Sequence, residues 1–538
     1  MSIINSRIPP FAAALVIAIC PCGNPLLSQT HEPLPLPHVR IDTHGRTIPD
    51  DPKINARMEI FAVPDSSISG GIERVYDGPI GIELRGTSSL GWPKKQYGVK
   101  TRGADGKSIS VSLLGLPEEE DWILSAPYTD RSALRDALAC TLARDMGWYA
   151  SRFRYCELTL NGLYQGVYLL MEKIKRDGKR VDIAKLSAQD NDGDAVTGGY
   201  ILKFDYIDAD EVGFYGAADS PGSFLYIHVY PEATDITPSQ RGYIQDFIRS
   251  FEAVMHSPQA SDALNGYATY IDVASFVDYL LLTELTNNID GYIRSCYMHK
   301  DRDSSGGKLT MGPVWDFNYS MGAAHERGGR FSDGWRIHRN QVPFWWHVLL
   351  RDTAFVARLG ARWAELRSTL FDEHRLFSWI DSVTQVIRPA LTRDHALWRS
   401  FDTYIWLDAW RSRGIDEEAD FLKSWLHDRL RWIDAHLPGI TQWRPAPEVD
   451  ALHRLLSVYP QPCGDILHSE FTLGMYGNVS LSVVDLFGRK RVSASAGILG
   501  IGGHSASLNL NGLATGVYVL RLHVGSEIVD ARTITITR

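Results

Sequence analysis

NNIDGYIRSCYMHKDRDSSGGKLTMGPVWDFN (residues 287–318) carries two aspartates, Asp290 near its start and Asp316 near its end. Two strand-like runs, YMHK and KLTMGPVW, lie between them and are joined by the turn-rich DSSGG. A hairpin of this length brings its two ends together. We therefore expect both carboxylates at one mouth of the hairpin, beside Arg294 and Ser295.

Two carboxylates that meet in this way suit phosphoryl transfer. One can orient or deprotonate a nucleophile while the other binds a metal ion. The alternative for the same spacing is a structural hairpin with solvated acids. The rest of the chain has to distinguish between these two interpretations.

The composition predicts a large, folded chain of several domains. Its 538 residues, 44% hydrophobic and 11% aromatic, can build large cores, which excludes a disordered chain. The net charge of −9 provides no basic excess, which predicts that nucleic acid is not a partner.

The N-terminal residues are typical of an export signal. Arg7 is the one early charge, and the short apolar run FAAALVIAIC follows it, before the helix-breaking PCGNP. This run is too short to span a membrane, so we predict a signal peptide over residues 1–29. No later run is long and apolar enough to span, which predicts a mature chain without a transmembrane segment.

Four cysteines remain after cleavage, and their spacing matches no metal-binding pattern. A disulfide is compatible with export, but the sequence does not select a pair. The four are Cys140, Cys156, Cys296 and Cys463.

The hydrophobic periods divide the chain into a sheet-rich part and a helical part. Residues 40–175 are typical of antiparallel sheet, including a strand SISVSLLG (108–115), with one inserted helix over 131–146 that Asp130 can cap. The period becomes helical from about residue 238, and short strands with turns return from about residue 465. The predicted segments are a signal peptide (1–29), a linker with the first strand (30–57), a sheet lobe (58–175), a helical lobe with loop insertions (176–445), a linker (446–464) and a β-sandwich (465–538).

Several stretches in order resemble the CotH kinase family, which is named for a spore-coat protein kinase with an atypical protein-kinase fold. The resemblance spans about residues 36–440. It rests on IELRGTSS, PKKQYGVK, WILSAPYTDRSALRDALA, LNGLYQGVYLLMEKIKRD, GGYILKFD, the Asn-x-Asp at 288–290 and GPVWDFN. The C-terminal stretch from LNLNGLATGVYVLRLHVG to TITITR resembles the type IX secretion sorting domain of Bacteroidetes.

The resemblance implies an α+β chain with a two-lobed, atypical protein-kinase-like fold. Its N-lobe would be an antiparallel sheet with one helix, its C-lobe helical, and a small β-sandwich would follow. The implied activity is Mg²⁺- or Mn²⁺-dependent transfer of the γ-phosphoryl group of ATP to serine or threonine. The implied substrates are exported or surface proteins.

The resemblance also assigns roles in the opening stretch. Asp290 becomes the catalytic carboxylate that orients the substrate hydroxyl and accepts its proton, and Asp316 the ligand of Mg²⁺. Ser295 stands where kinases have a metal-binding Asn, and a hydroxyl is the weaker neutral ligand. Arg294 could screen the transferring phosphoryl group or only pair with Asp290.

Phosphates need a cradle and a cation. The candidate cradle is the loop RGTSS, with Arg85, Ser88 and Ser89. The candidate cations are Lys94, Lys95 and Lys100, and the sequence does not rank them. Lys100 lies inside a predicted strand.

A buried phosphate-binding lysine needs a carboxylate partner, and the helix over 131–146 offers Asp136 and Asp145. Arg135 on the same helix could instead face phosphate or Asp316. Glu172 ends a strand at the position where a kinase hinge contacts adenine, and its carboxylate could equally meet a lysine of the cradle.

Three functions follow as hypotheses. The first is a secreted protein kinase that acts at the cell surface or in the periplasm and uses the type IX secretion machinery as its export partner. The second is an inactive kinase fold that serves in surface or coat assembly or adhesion. The third is transfer of a nucleotidyl group such as AMP to protein. Asp290, Asp316 and the basic loop favour an active enzyme over an inactive one.

Overall fold

A computed structural model of the chain describes most residues from 36 onward. The predicted signal peptide lies outside the described residues, as do residues 446–453 of the predicted linker. Within the described part, no helix combines the length and apolar character that crossing a membrane requires. The described ranges are 36–63, 71–208, 211–216, 224–338, 342–405, 408, 412–441, 454–473, 477–485, 488–499, 502–525 and 527–537.

The first seven strands close into a barrel, in the order β1-β2-β3-β4-β5-β7-β6. All neighbours are antiparallel except β1 and β6, whose parallel pairing closes the barrel. This closure was not predicted from the sequence. The strands are β1 (His38–Asp42), β2 (Ile54–Ala62), β3 (Glu73–Arg85), β4 (Gln96–Thr101), β5 (Asp121–Ser125), β6 (Phe153–Leu160) and β7 (Leu163–Glu172).

Local sequence explains the best-defined turn of the barrel. Asn161 and Gly162 join β6 to β7, and both have positive φ, as a two-residue hairpin turn requires. The predicted strand at 108–115 is wrong. Its residues form only isolated bridges, such as Val111 with Glu119, and pair with no neighbouring strand.

Helix α1 (Arg135–Asp145) is inserted between β5 and β6 and begins four residues later than predicted. Asp130 still binds its start, since its carboxylate accepts the backbone N–H of Arg135 at 2.8 Å and of Ser132 at 3.1 Å. The predicted helix also included residues 131–134. Among them Ala133 has φ +57°, a conformation that the helical pattern did not reveal.

A second sheet follows, with five antiparallel strands in the order β12-β11-β8-β10-β9. The prediction of a helical second lobe is therefore incomplete, because this sheet precedes and interrupts the helices. The strands are β8 (Tyr200–Phe204), β9 (Gly213–Tyr215), β10 (Leu225–Tyr230), β11 (Cys296–Lys300) and β12 (Leu309–Met311).

Helices make up about half of the chain between residues 238 and 436, and side-chain caps mark the start of several of them. Thr237 and Gln240 form a capping box at the start of α2, and the Asp272 carboxylate caps α3. The longest helix of the described residues, α6, contains Pro389 in its interior. The helices are α2 (Pro238–His256), α3 (Val273–Thr286), α4 (Trp345–Leu349), α5 (Thr353–Arg367), α6 (Glu373–Trp398) and α7 (Ile415–His436).

Two large apolar cores support these elements. The barrel interior is filled by apolar side chains such as Trp122 and Tyr168. The larger core joins α1, the second sheet and the helices around the buried Trp345 and Trp346. Helix α1 lies between two barrel strands in the sequence, but it packs in this larger core. The second half of the chain therefore holds it in place.

The C-terminal residues form a three-stranded and a four-stranded antiparallel sheet that share one apolar core. The first of these strands lies within residues 446–464, so that the predicted linker extends too far. The four cysteines of the described residues are free and buried. The strands are β13 (Arg454–Tyr459), β14 (Ile466–Leu473), β15 (Gly477–Val484), β16 (Lys490–Leu499), β17 (Gly502–Asn509), β18 (Gly516–Val524) and β19 (Glu527–Ile536).

Candidate active site

Asn288 links the two aspartates of the opening stretch. Helix α3 ends at Thr286, and the next residue, Asn287, has a φ of +48° that turns the chain out of the helix. The side-chain carbonyl of Asn288 accepts the backbone N–H of Asp290 at 3.2 Å, and its amide donates to the backbone carbonyl of Asp316 at 3.4 Å. The chain between Asp290 and Asp316 forms the expected hairpin. Its strands β11 and β12 pair from Met298 with Met311 to Lys300 with Leu309.

Asp316 lies within a group of charged and polar side chains, Asp290, Asp205, Arg85 and Ser295, which we call the cleft. Its carboxylate is solvent-accessible, yet protein surrounds it closely. Burial raises the pKa of this carboxyl, the charges of Asp290 and Asp205 raise it further, and Arg85 and a hydrogen bond from Ser295 oppose the rise. Ser295 donates that hydrogen bond across 3.4 Å, so the predicted metal-binding pair is adjacent.

Asp290 is held between two arginines. The Arg294 Nη1 atom lies 3.5 Å from the Asp290 carboxylate, and the Arg327 Nη1 atom lies 3.2 Å away. The Arg294 guanidinium also lies over the ring of Tyr206, 4.3 Å from its centre. Arg294 therefore contacts the predicted catalytic carboxylate. The second arginine that pairs with Asp290, Arg327, was not predicted from the sequence.

Helix α1 reaches the same place through its first turn. The Asp136 carboxylate accepts the backbone N–H of Phe317, and burial and the charge of Asp316 raise the pKa of Asp136. Its neighbour Arg135 pairs with Asp130 at 2.5 Å and donates to the Ser320 carbonyl at 3.1 Å. Arg135 thus holds the segment that follows Asp316.

Arg85 comes to the cleft from the end of β3. Its guanidinium lies 5.0 Å from the ring centre of Trp315 and within electrostatic range of Asp316. Ser89 donates to the Arg85 carbonyl at 3.3 Å, while Ser88 is exposed at the start of a single 3₁₀ turn. Gly86 has φ +106°, and a Cβ there would lie 1.8 Å from the Ser89 hydroxyl, which explains the glycine in this loop.

The three candidate lysines are all engaged elsewhere. Lys94 is 1% exposed, forms an ion pair with Asp394 of α6 and donates to the Val167 carbonyl at 2.7 Å. Lys95 donates to the Leu90 carbonyl at 2.5 Å.

Lys100 pairs with Glu120 at 3.3 Å and with Asp121 at 3.2 Å. These two acids and Glu119 present carboxylate oxygens within 4.8 Å of one another, an arrangement that could hold a metal ion. Lys175 also binds Glu119 at 2.9 Å and Asp121 at 2.8 Å, so basic side chains already neutralise the cluster.

Glu172 is fully buried and does not meet a lysine of the cradle. Arg152 binds its carboxylate through the side chain at 2.9 Å and through the backbone N–H at 3.0 Å, and the Tyr149 hydroxyl donates at 3.2 Å. The carboxylate is thus fixed inside the protein. Asp145 is likewise remote from the cradle lysines, because it pairs with Arg375 at 2.9 Å.

Asp205 joins the cleft and was not among the predicted residues. It follows the buried strand β8, and its charge raises the pKa of Asp316. A signal was present, since the stretch GGYILKFD ends on this aspartate at the edge of a strand.

The comparisons with known proteins agree with the two resemblances. The family model described as CotH kinase protein matches residues 82–433, which is more than half of the chain. The model described as secretion system C-terminal sorting domain matches residues 457–536. No curated protein matches.

The solved structures provide no fold assignment. The Pseudomonas fluorescens alkylpurine DNA glycosylase AlkC, bound to DNA with an abasic site analogue, is 9% identical with a TM-score of 0.13, over 35% of this chain and 54% of that one. The twitchin kinase region from C. elegans is 11% identical with a TM-score of 0.15, over 94% of this chain and all of that one. Scores this low carry no structural argument.

Proposed function

The chain belongs to the CotH kinase protein family, and on that premise we propose that it is a secreted atypical protein kinase. It transfers the γ-phosphoryl group of ATP to serine or threonine of exported or surface proteins. The observation that carries this proposal is the meeting of Asp290, Ser295 and Asp316 in one cleft, joined through Asn288.

The proposed architecture is a kinase-like pair of lobes followed by a β-sandwich. The barrel with α1 serves as the N-lobe, and the second sheet with the helices serves as the C-lobe. The two C-terminal sheets, which share one core, form the sandwich. The proposed domains keep the predicted order, with the last one beginning at β13.

The oxygen donors of the cleft fit Mg²⁺ or Mn²⁺. Asp316 offers an accessible carboxylate and Ser295 a hydroxyl, and the carboxylate of Asp136 lies within electrostatic range of Asp316. Hard cations of this kind take oxygen ligands. When bound, the metal ion supplies neutralisation of the phosphate charge.

The protein residues divide the remaining work. Asp290 orients the acceptor hydroxyl and accepts its proton as the oxygen attacks the γ-phosphorus and the bond to the β-phosphate oxygen breaks. Arg294 and Arg327 hold the Asp290 carboxylate in one orientation. Asn288 bonds to the backbone of both Asp290 and Asp316 and so keeps these two residues at a fixed separation.

Residues 457–536 support export by the type IX secretion machinery. We propose that the protein substrate is met on that route, in the periplasm or at the cell surface. The C-terminal domain would then serve export and have no part in the chemistry.

Radiolabelled ATP tests the proposal. The full chain is incubated with Mg²⁺ or Mn²⁺ and either γ- or α-labelled ATP, and protein-bound label is counted. Label from the γ position alone supports the kinase, whereas label from the α position supports nucleotidyl transfer. If neither label is transferred and the nucleotide does not raise the melting temperature, both enzyme hypotheses are wrong. The alternative of an inactive assembly or adhesion module is then supported.

A further inference from the structure

A buried network of hydrogen bonds adjoins the turn over residues 287–292, which carries Asp290. Its members are each no more than 1% exposed, and they come from α3, from the turn, from the segment before α4 and from α7. A buried charge whose hydrogen bonds are satisfied holds the elements around it in one arrangement. The members are Glu284, Asn287, Tyr292, Arg336 and Arg429.

The carboxylate of Glu284 is the centre of this network. It accepts the backbone N–H groups of Arg336 at 2.7 Å and Ile337 at 2.8 Å. The Tyr292 hydroxyl donates to it at 2.9 Å, and an arginine of α7 donates at 3.2 Å. Four donors therefore hold one carboxylate, and Tyr292 ties the end of the turn to it.

Arg336 connects the start of the turn to an arginine that pairs with Asp290. Its Nε and Nη2 atoms donate to the side-chain carbonyl of Asn287 at 2.9 and 2.5 Å. Its Nη1 atom donates to the backbone carbonyl of Arg327 at 2.6 Å. The Arg327 guanidinium in turn lies 3.2 Å from the Asp290 carboxylate. A single buried side chain therefore holds both the backbone before Asp290 and one arginine partner of its carboxylate.

The backbone at these points is in a conformation that needs support. Asn287, Tyr292 and Arg327 have φ values of +48°, +72° and +48°, which non-glycine residues adopt rarely. Each of the three makes a hydrogen bond to Arg336 or Glu284. Such conformations persist where the surrounding structure holds them, so the network fixes the path of the chain on both sides of the catalytic carboxylate.

We propose that Glu284 and Arg336 are positioning residues, which hold Asp290 where it meets the acceptor hydroxyl. The inference deepens the proposed function and rests on it. Both residues act through the turn and through Arg327. Displacing a reacting group by about 1 Å can lower a rate by about 100-fold. Loss of a contact in the network should therefore lower the rate of transfer and leave ATP binding unchanged, since the proposed metal ligand is Asp316.

Tyr292→Phe makes the smallest change, because it removes one hydroxyl donor from Glu284. The matched control is Tyr226→Phe, because Tyr226 is also fully buried and donates to the buried Glu252 carboxylate, at 2.8 Å. That bond joins β10 to α2. Arg336→Lys is the second variant, since it keeps the charge and replaces the guanidinium by a single nitrogen.

Two quantities are measured in the full chain, together with its melting temperature. The first is kcat and KM for ATP in the transfer of γ-label, and the second is hydrogen exchange of the peptide over residues 287–294 by mass spectrometry. Tyr292→Phe and Arg336→Lys should lower kcat by about tenfold or more, leave KM for ATP unchanged and speed exchange of this peptide. Tyr226→Phe should lower the melting temperature as Tyr292→Phe does and keep the wild-type kcat and exchange.

The outcomes separate this inference from the proposed function. If the wild-type chain transfers γ-label, an unchanged kcat in a folded variant overturns the role of the residue it probes, which is Glu284 for Tyr292→Phe. An equal loss of kcat in Tyr226→Phe overturns the inference as a whole. If the wild-type chain transfers no label, the proposed function fails and the exchange measurement decides alone. Faster exchange in Tyr292→Phe than in Tyr226→Phe then supports the inference, and equal exchange overturns it.

Discussion

The carboxylate of Asp136 accepts a hydrogen bond from the backbone N–H of Phe317, the residue that directly follows Asp316. Asp316 itself has φ +63°, a conformation that non-glycine residues adopt rarely. A contact from α1 therefore fixes the turn that presents the proposed metal ligand. This connects the inserted helix of the barrel to the chemistry of the cleft.

Asp136→Ala should lower Mg²⁺ affinity by about 10- to 100-fold, because partners that orient a metal ligand contribute that much. Asp136→Asn keeps an oxygen acceptor for the Phe317 N–H and removes only the charge. Metal titration followed by calorimetry distinguishes the two roles. Equal losses in both variants would show that the Asp136 charge contacts the metal, whereas no loss in either would remove Asp136 from the site.

Ser295→Asn should strengthen metal binding, because an amide oxygen is a better ligand than a hydroxyl and kinases have Asn at this position. The backbone accommodates the change, since Ser295 has φ +48° and Asn is among the residues that best tolerate that region. Mg²⁺ titrations of the wild type, Ser295→Asn and Ser295→Ala measure the effect. A weaker affinity in the Asn variant than in the Ala variant would contradict a ligand role for this position.

Lys94→Met should destabilise the chain by about 3–5 kcal/mol, because it leaves Asp394 as an unpaired buried charge. Denaturant unfolding measures this, and Lys94→Met combined with Asp394→Asn should recover part of the loss. The matched control is Lys95→Met, whose ammonium makes one carbonyl hydrogen bond and whose loss should cost about 1 kcal/mol. A Lys94→Met chain of normal stability that no longer binds ATP would restore Lys94 as the phosphate-binding residue.

Local patterns predicted many of the strands and helices well, because their signals lie within a few neighbouring residues. The Asp130 contact at the start of α1 and the hairpin after Asp290 are of this kind. Closure of the barrel by parallel pairing of β1 with β6 joins strands more than a hundred residues apart. No local pattern encodes such a pairing.

The same distinction holds in the cleft. The pair of Asp290 and Asp316 was accessible to sequence reasoning because one hairpin separates them. The partner of Lys94 was not, because Asp394 lies 300 residues away on a helix whose pattern Pro389 interrupts.

The central claim is that Asp290 and Asp316 act at one site with separate roles. The direct measurement is ATP binding, with and without Mg²⁺, alongside transfer of γ-label, in Asp290→Asn and Asp316→Asn. Asp316→Asn should lose metal-dependent nucleotide binding, whereas Asp290→Asn should keep that binding and lose transfer by about 100-fold or more. Loss of metal-dependent binding in Asp290→Asn with retention in Asp316→Asn would contradict the assignment.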